Sequence, residues 1–197
     1  MVPMHASHSL LVLLAAPLAQ GEAHWPHWRG PSADGVAPAA LARNWSDTEN
    51  VRWVVSTPGR GASSPVIWGE QLFLTTAVPT GRAAEHAASE GSASGAPEEQ
   101  SFELHALDRR TGATRWKAVA CVATPHEGYH KSYGSFASAS PVTDGERMYV
   151  SFGSQGLYAF DLAGKLAWSF DPKVKLAMRN GFGEGLAPVL AGEVLVQ

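Results

Sequence analysis

The stretch CVATPHEGYHKSYGSFAS, residues 121–138, is the most chemically varied in the chain. His126 and His130 are its candidate ligand-facing pair, since two imidazoles four residues apart share one face of a helix and could hold a metal there. Pro125 and Gly128 oppose a helix at this place. With no carboxylate or third ligand standing out, the stretch reads as a polar loop between larger elements, and no metal ligand is assigned.

A second candidate, RNGFGEG at 179–185, has the glycine content of a phosphate cradle. Such a cradle needs a strand-to-helix transition, and LAPVLAGE begins another strand instead. Its glycines read as allowing a close approach of backbone, with Arg179 and Asn180 as ligand-facing residues directed toward an axial channel. Trp25, Trp28 and Trp45 could form a sugar or partner platform, but burial is the commoner fate of large aromatics. No nucleophile elbow of the form G-x-S-x-G occurs. Cys121 is the single cysteine, so no internal disulfide can form. The net charge of −3 supplies no basic stripe, so nucleic acid is not an expected partner. No catalytic or cofactor-binding residue is assigned.

The elements that would position these residues come from an internal repeat. SPVIWGEQLFL from Ser64, SPVTDGERMYV from Ser140 and APVLAGEVLVQ from Ala187 share Pro-Val-x-x-Gly-Glu. Each reads as two antiparallel strands about a glycine turn. Pro65, Pro141 and Pro188 lack an N–H and belong at strand starts. A second pattern follows twice, ALDRRTGATRW from Ala106 and AFDLAGKLAW from Ala159, again strand, turn and strand. Asp108 and Asp161 can accept from their own turn's backbone, while Gly112 and Gly164 supply a positive φ. The unit is therefore four antiparallel strands, in the second copy near 139–143, 147–152, 157–161 and 165–170. Glu70, Glu146 and Glu193 recur with the unit and read as structural.

The first copy is longer than the second mainly through residues 79–101, rich in Ala, Ser, Gly and Glu, which read as a surface loop or disordered insert. Leu157, Tyr158, Ala159 and Phe160 are consecutive, so the sheet must be covered on both faces. A four-stranded sheet packed between two like itself is a propeller blade. The expected fold is all-β, a β-propeller of four-stranded antiparallel blades, with about two and a half blades present and the ring incomplete. The chain reads as a fragment of a longer protein.

Leu10–Ala19 is apolar yet too short to span a bilayer, which marks residues 1–23 as an export signal. The organisation is then a signal over 1–23, an N-terminal segment over 24–61 and propeller repeats over 62–197. Within the repeats, blade one occupies 62–120 with the insert at 79–101, blade two 137–171, and the start of blade three 185–197. Trp53 stands where a fourth strand would carry its tryptophan, so the N-terminal segment is expected to supply a closing strand. The mature chain is placed in the periplasm or secreted, with no transmembrane span.

Ala106, Asp108, Thr111, Gly112 and Trp116 match A-x-D-x-x-T-G-x-x-x-W, and the chain resembles the pyrroloquinoline quinone (PQQ)-type β-propellers. The second copy keeps Ala159, Asp161, Gly164 and Trp168 but is one residue shorter and lacks the threonine. The resemblance implies that each tryptophan docks between adjacent blades, with the alanine and glycine making room. WPHWRGPSADG from Trp25 and KLAMRNGFGEG from Lys175 are also similar to BamB-like propellers of exported bacterial families. That superfamily holds both quinoprotein alcohol dehydrogenases and scaffold proteins of outer-membrane assembly. The expected function is an exported noncatalytic binding or scaffold module with an envelope or extracytoplasmic protein partner and no cofactor. The alternative is part of a PQQ-dependent dehydrogenase, which would carry PQQ with calcium. Against it, no recognisable set of six or more oxygens is present for calcium, and the vicinal disulfide of many such enzymes cannot form.

Overall fold

The computed structural model describes residues 24–37, 42–83, 98–178 and 182–197. The expected signal at 1–23 lies outside these residues, as do Arg179 and Asn180. Ten strands and one 3-10 turn, with no α-helix, make up the regular structure among the described residues. β1 (Val66–Trp68), β2 (Gln71–Ala83), β3 (Glu98–Asp108) and β4 (Thr114–Ala123) form one antiparallel sheet in that order. β5 (Val142–Thr143), β6 (Arg147–Ser151), β7 (Leu157–Asp161) and β8 (Leu166–Phe170) form a second. β9 (Val189–Ala191) and β10 (Val194–Val196) pair as a third. These are two four-stranded blades and the inner hairpin of another, and the described residues do not close a ring. Pro65, Pro141 and Pro188 each immediately precede a first strand, where a missing N–H breaks no ladder bond.

One expectation is corrected. Residues 79–101 are not wholly a loop, because β2 runs on to Ala83 and β3 starts at Glu98. Cross-strand bonds hold this polar extension: Thr80 Oγ1 donates to Glu99 Oε1 at 2.9 Å, and Gly81 N–H donates to Glu98 Oε1 at 3.1 Å. Residues 84–97 lie outside the described set. Val51–Thr57 form no strand among the described residues.

Period-two alternation explains how the blades stack. Met148 and Val150 of β6, with Tyr158 and Phe160 of β7, join Val66, Phe73, Leu104 and Ala106 in the core between the blades. The residues between them face the other way: Tyr149, Ala159 and Val142 pack against Leu190 and Leu195 of the β9–β10 hairpin. The consecutive apolar run from Leu157 to Phe160 is thus covered on both sides. Burying each of Phe73, Phe102 and Phe160 contributes about 1.5–3 kcal/mol.

The N-terminal segment is stitched to both inner strands. Trp25 exchanges backbone bonds with Ile67 of β1 at 2.8 and 2.9 Å, and Thr143 N–H of β5 donates to Pro26 O at 2.9 Å. His24 stacks on Trp68 with ring centroids 3.9 Å apart. Trp25 is partly buried, but Trp28 and Trp45 are exposed, at 52% and 68%, against the expectation of burial.

Candidate functional site

The residues that recur with the repeat are taken up by the architecture. Asp108 Oδ1 accepts from the Arg110 and Thr111 amides and the Thr111 hydroxyl, each at 3.0 Å, and Oδ2 accepts from Arg115 Nη2 at 2.6 Å. The Arg115 guanidinium beside Asp108 holds its carboxyl well below the usual carboxylate range. In blade two, Asp161 Oδ1 accepts from the Ala163 and Lys165 amides at 3.0 and 2.9 Å, so the shorter turn keeps its aspartate without the threonine. Gly112 and Gly164 have φ of 75° and 88°. A Cβ on Gly164 would stand 2.6 Å from the Trp116 ring, and one on Gly112 2.6 Å from the Trp53 ring. Trp116 Nε1 donates to Leu162 O at 3.2 Å, and Trp53 Nε1 donates to Arg109 O at 3.1 Å, the equivalent carbonyl of blade one. Trp53 therefore makes the inter-blade contact of a repeat tryptophan without belonging to a strand. Ala106 and Ala159 are fully buried and lie opposite Trp116 and Trp168 in the ladders. Both oxygens of Asp108 and Oδ1 of Asp161 are thus engaged by their own turns.

Residues that do not recur gather instead where the inter-blade connections meet the β2–β3 and β6–β7 ends. Arg60, in an isolated bridge with Ala77, donates through Nε to Gly134 O at 2.9 Å and through Nη2 to Lys131 O at 2.7 Å. Its guanidinium carbon lies 5.1 Å from the centroid of Tyr129, within cation–π range. A groove of about 330 Å³ opens beside it, lined by Arg60, Glu98, Gln100, Tyr129 and Phe136 among others.

His126 and His130 have different partners. His130 stacks on Tyr133 at 3.6 Å and meets Phe182 edge-on at 5.0 Å. His126 Nε2 lies 2.7 Å from Leu176 O and 3.5 Å from Glu184 Oε1. Glu184 is fixed by Ser154, whose N–H donates to Oε2 and whose hydroxyl donates to Oε1 at 2.7 Å. Glu127 Oε2 accepts from Met178 N–H at 3.1 Å, while its Oε1 is buried with no hydrogen-bond partner among the described residues. Ligand atoms of His126, Glu127 and Glu184 lie within 4.8 Å of one another. The absence of a nearby carboxylate, expected from the sequence, is corrected by both glutamates. Glu184 sits inside the glycine motif RNGFGEG, whose spacing drew attention to the glycines and away from the acid.

Three further features complete the chemistry. Burial pushes the Cys121 thiol up, so it is not a poised nucleophile. Glu103 and His105, both buried on β3, pair at 2.7 Å, and Ser101 Oγ donates to the second oxygen of Glu103 at 2.8 Å. Alternating along one strand, these three satisfy one another and anchor the sheet. Along β8 an apolar groove of about 810 Å³ is lined by Trp168, Phe170, Val174, Leu186 and Leu195 among others.

Residues 100–196 match the family model described as outer membrane protein assembly factor BamB. No curated protein matches the chain at a significant level. The BamB-like family is extracytoplasmic and its domains take part in protein interactions. Among the described residues no helix is long and apolar enough to cross a membrane. Tryptophans docked on the glycines of the following blade, paired four-stranded sheets and the family match together make this chain a PQQ-like β-propeller repeat protein of BamB-like type.

Proposed function

We propose that this protein is a noncatalytic binding module, periplasmic or secreted, that holds an envelope protein on the face where its inter-blade connections meet. The observation that supports this reading is a division of labour. The repeating Asp108, Asp161 and Trp116 are consumed by turns and blade contacts, while non-repeating Arg60, Tyr129 and Tyr133 collect on one face, with Tyr133 69% exposed. Arginine and tyrosine are the side chains enriched at protein interfaces, where they combine apolar area with a polar tip. The family description, an assembly factor, favours a protein partner over a small substrate.

The test is cross-linked capture from envelope extracts by the wild-type protein and by Tyr129→Ala and Tyr133→Ala. Specific partners retained by the wild type and lost by either variant support the reading, and capture that ignores both substitutions removes it. A parallel titration with PQQ and Ca²⁺ discriminates the enzymatic alternative. Saturable binding accompanied by alcohol-dependent dye reduction would replace the binding reading with a dehydrogenase.

A further inference from the structure

Two connections that lie far apart in the chain bring three metal-competent side chains together. His126 and Glu127 follow β4, and Glu184 precedes β9. Their ligand atoms come within 4.8 Å of one another. Donors bound to one first-row ion at about 2.0–2.2 Å stand roughly 3.5 Å apart, so closure requires side-chain adjustments of about an ångström.

Both carboxylates are already oriented. Glu184 is gripped at both oxygens by Ser154, whose hydroxyl in turn accepts from Leu176 N–H at 2.8 Å. Glu127 is held through Oε2 by Met178 N–H, which leaves Oε1 free. Such outer hydrogen bonds are what align ligands in metal sites. The backbone makes room as well: a Cβ on Gly153 would collide with the Glu184 carboxylate, so this position admits the acid only as glycine.

The independent observation pointing to a ligand is Glu127 Oε1, a buried carboxylate oxygen with no hydrogen-bond partner among the described residues. Leaving such an acceptor unpaired is costly, because the oxygen loses its solvation and gains no bond in exchange. A cavity of about 20 Å³ lined by both Glu127 and Glu184 lies there, room for a single water-sized particle.

We propose that His126, Glu127 and Glu184 form a binding site for one divalent first-row transition ion, bridging the connection before blade two to the connection after it. One imidazole nitrogen and two carboxylates suit Zn²⁺ or Mn²⁺, whereas Ca²⁺ and Mg²⁺ favour all-oxygen shells. Two carboxylate charges neutralise the ion. Entry of the metal between His126 and Glu184 replaces the Nε2–H bond to Leu176 O, and the ring then carries its hydrogen on Nδ1.

The experiment uses the full chain stripped with chelator and titrated with ZnCl₂ and separately with MnCl₂, read by calorimetry and by thermal unfolding. One equivalent is expected to bind and to raise the Tm, with Ca²⁺ and Mg²⁺ at least ten-fold weaker. Glu127→Gln and Glu184→Gln should each weaken Zn²⁺ binding at least ten-fold, the scale on which even outer-shell losses act. His126→Gln should abolish the nitrogen coupling in the Mn²⁺ spin-resonance spectrum. Circular dichroism of each variant without metal establishes that it folds, and His130→Gln serves as a folded control that binds as wild type. Failure of the wild type to saturate, or equal zinc affinity in all folded variants, overturns the site. Neither outcome bears on partner capture through Tyr129 and Tyr133.

Discussion

Trp116 and Trp168 stand at matching positions of consecutive blades and meet different surroundings. Trp116 lies against Gly164 of the next blade and donates to Leu162 O, whereas Trp168 is 39% exposed and lines the groove along β8. The β9–β10 hairpin stands beside blade two and covers Tyr149 and Ala159 through Leu190 and Leu195. A blade contact therefore has two separable parts. The first two strands of a neighbour bury the sheet face, and its third-to-fourth-strand turn receives the indole. Trp53 shows the same separation from the other side, since it fills the pocket at Gly112 without any strand of its own.

The sharpest way to break this comparison is to remove each indole in turn. Trp116→Ala should destabilise by about 3–5 kcal/mol, the range for deleting a packed large aromatic, and Trp168→Ala by about 1 kcal/mol. Equal losses in chemical denaturation would mean that docking on Gly164 contributes nothing. Next in size is Gly164→Ala, which combines a left-handed backbone with displacement of the Trp116 ring and should cost about 2–4 kcal/mol. Gly35→Ala isolates the backbone part, because its φ is 77° and its Cβ would meet nothing within 4 Å. That variant should lose only about 1–2 kcal/mol.

Smaller effects distinguish the two turns. Blade two manages without a threonine, so Thr111→Val, which deletes a hydroxyl bond to Asp108 Oδ1, should cost only about 0.5–1.5 kcal/mol by thermal unfolding. The smallest expected effect concerns acid. Arg115 depresses the folded Asp108 carboxyl below its unfolded value of about 3.9. Its stabilisation is complete above that value and is lost as pH falls toward the folded one. Asp108→Asn should therefore flatten the decline of Tm below about pH 4. Identical slopes for variant and wild type would show that the pair carries no pH dependence.

The repeat was legible because turn chemistry is local: Asp108 with Gly112 and Asp161 with Gly164 announce their turns within a few residues. Strand edges in blade two followed from alternation and proline placement. The outer part of the β2–β3 hairpin was not legible, since Thr80, Gly81, Glu98 and Glu99 have polar or turn-like character and are ordered by one another across the ladder. Composition cannot register a partner that lies across a hairpin. The grouping of Glu127 with Glu184 escaped for the same reason at larger range, because it depends on how the connections on either side of blade two fold back together. Trp53 was recognised as a repeat tryptophan, but not that its indole could reach the turn of blade one without a strand behind it.

The pairing of Trp25 with Ile67 and of Pro26 with Thr143 joins one short peptide to two different sheets. Those bonds can exist together only after the sheets have reached their mutual orientation, whatever order they fold in. Slow hydrogen exchange at the Trp25 and Thr143 amides thus reports assembly of the pair, as distinct from formation of either sheet alone.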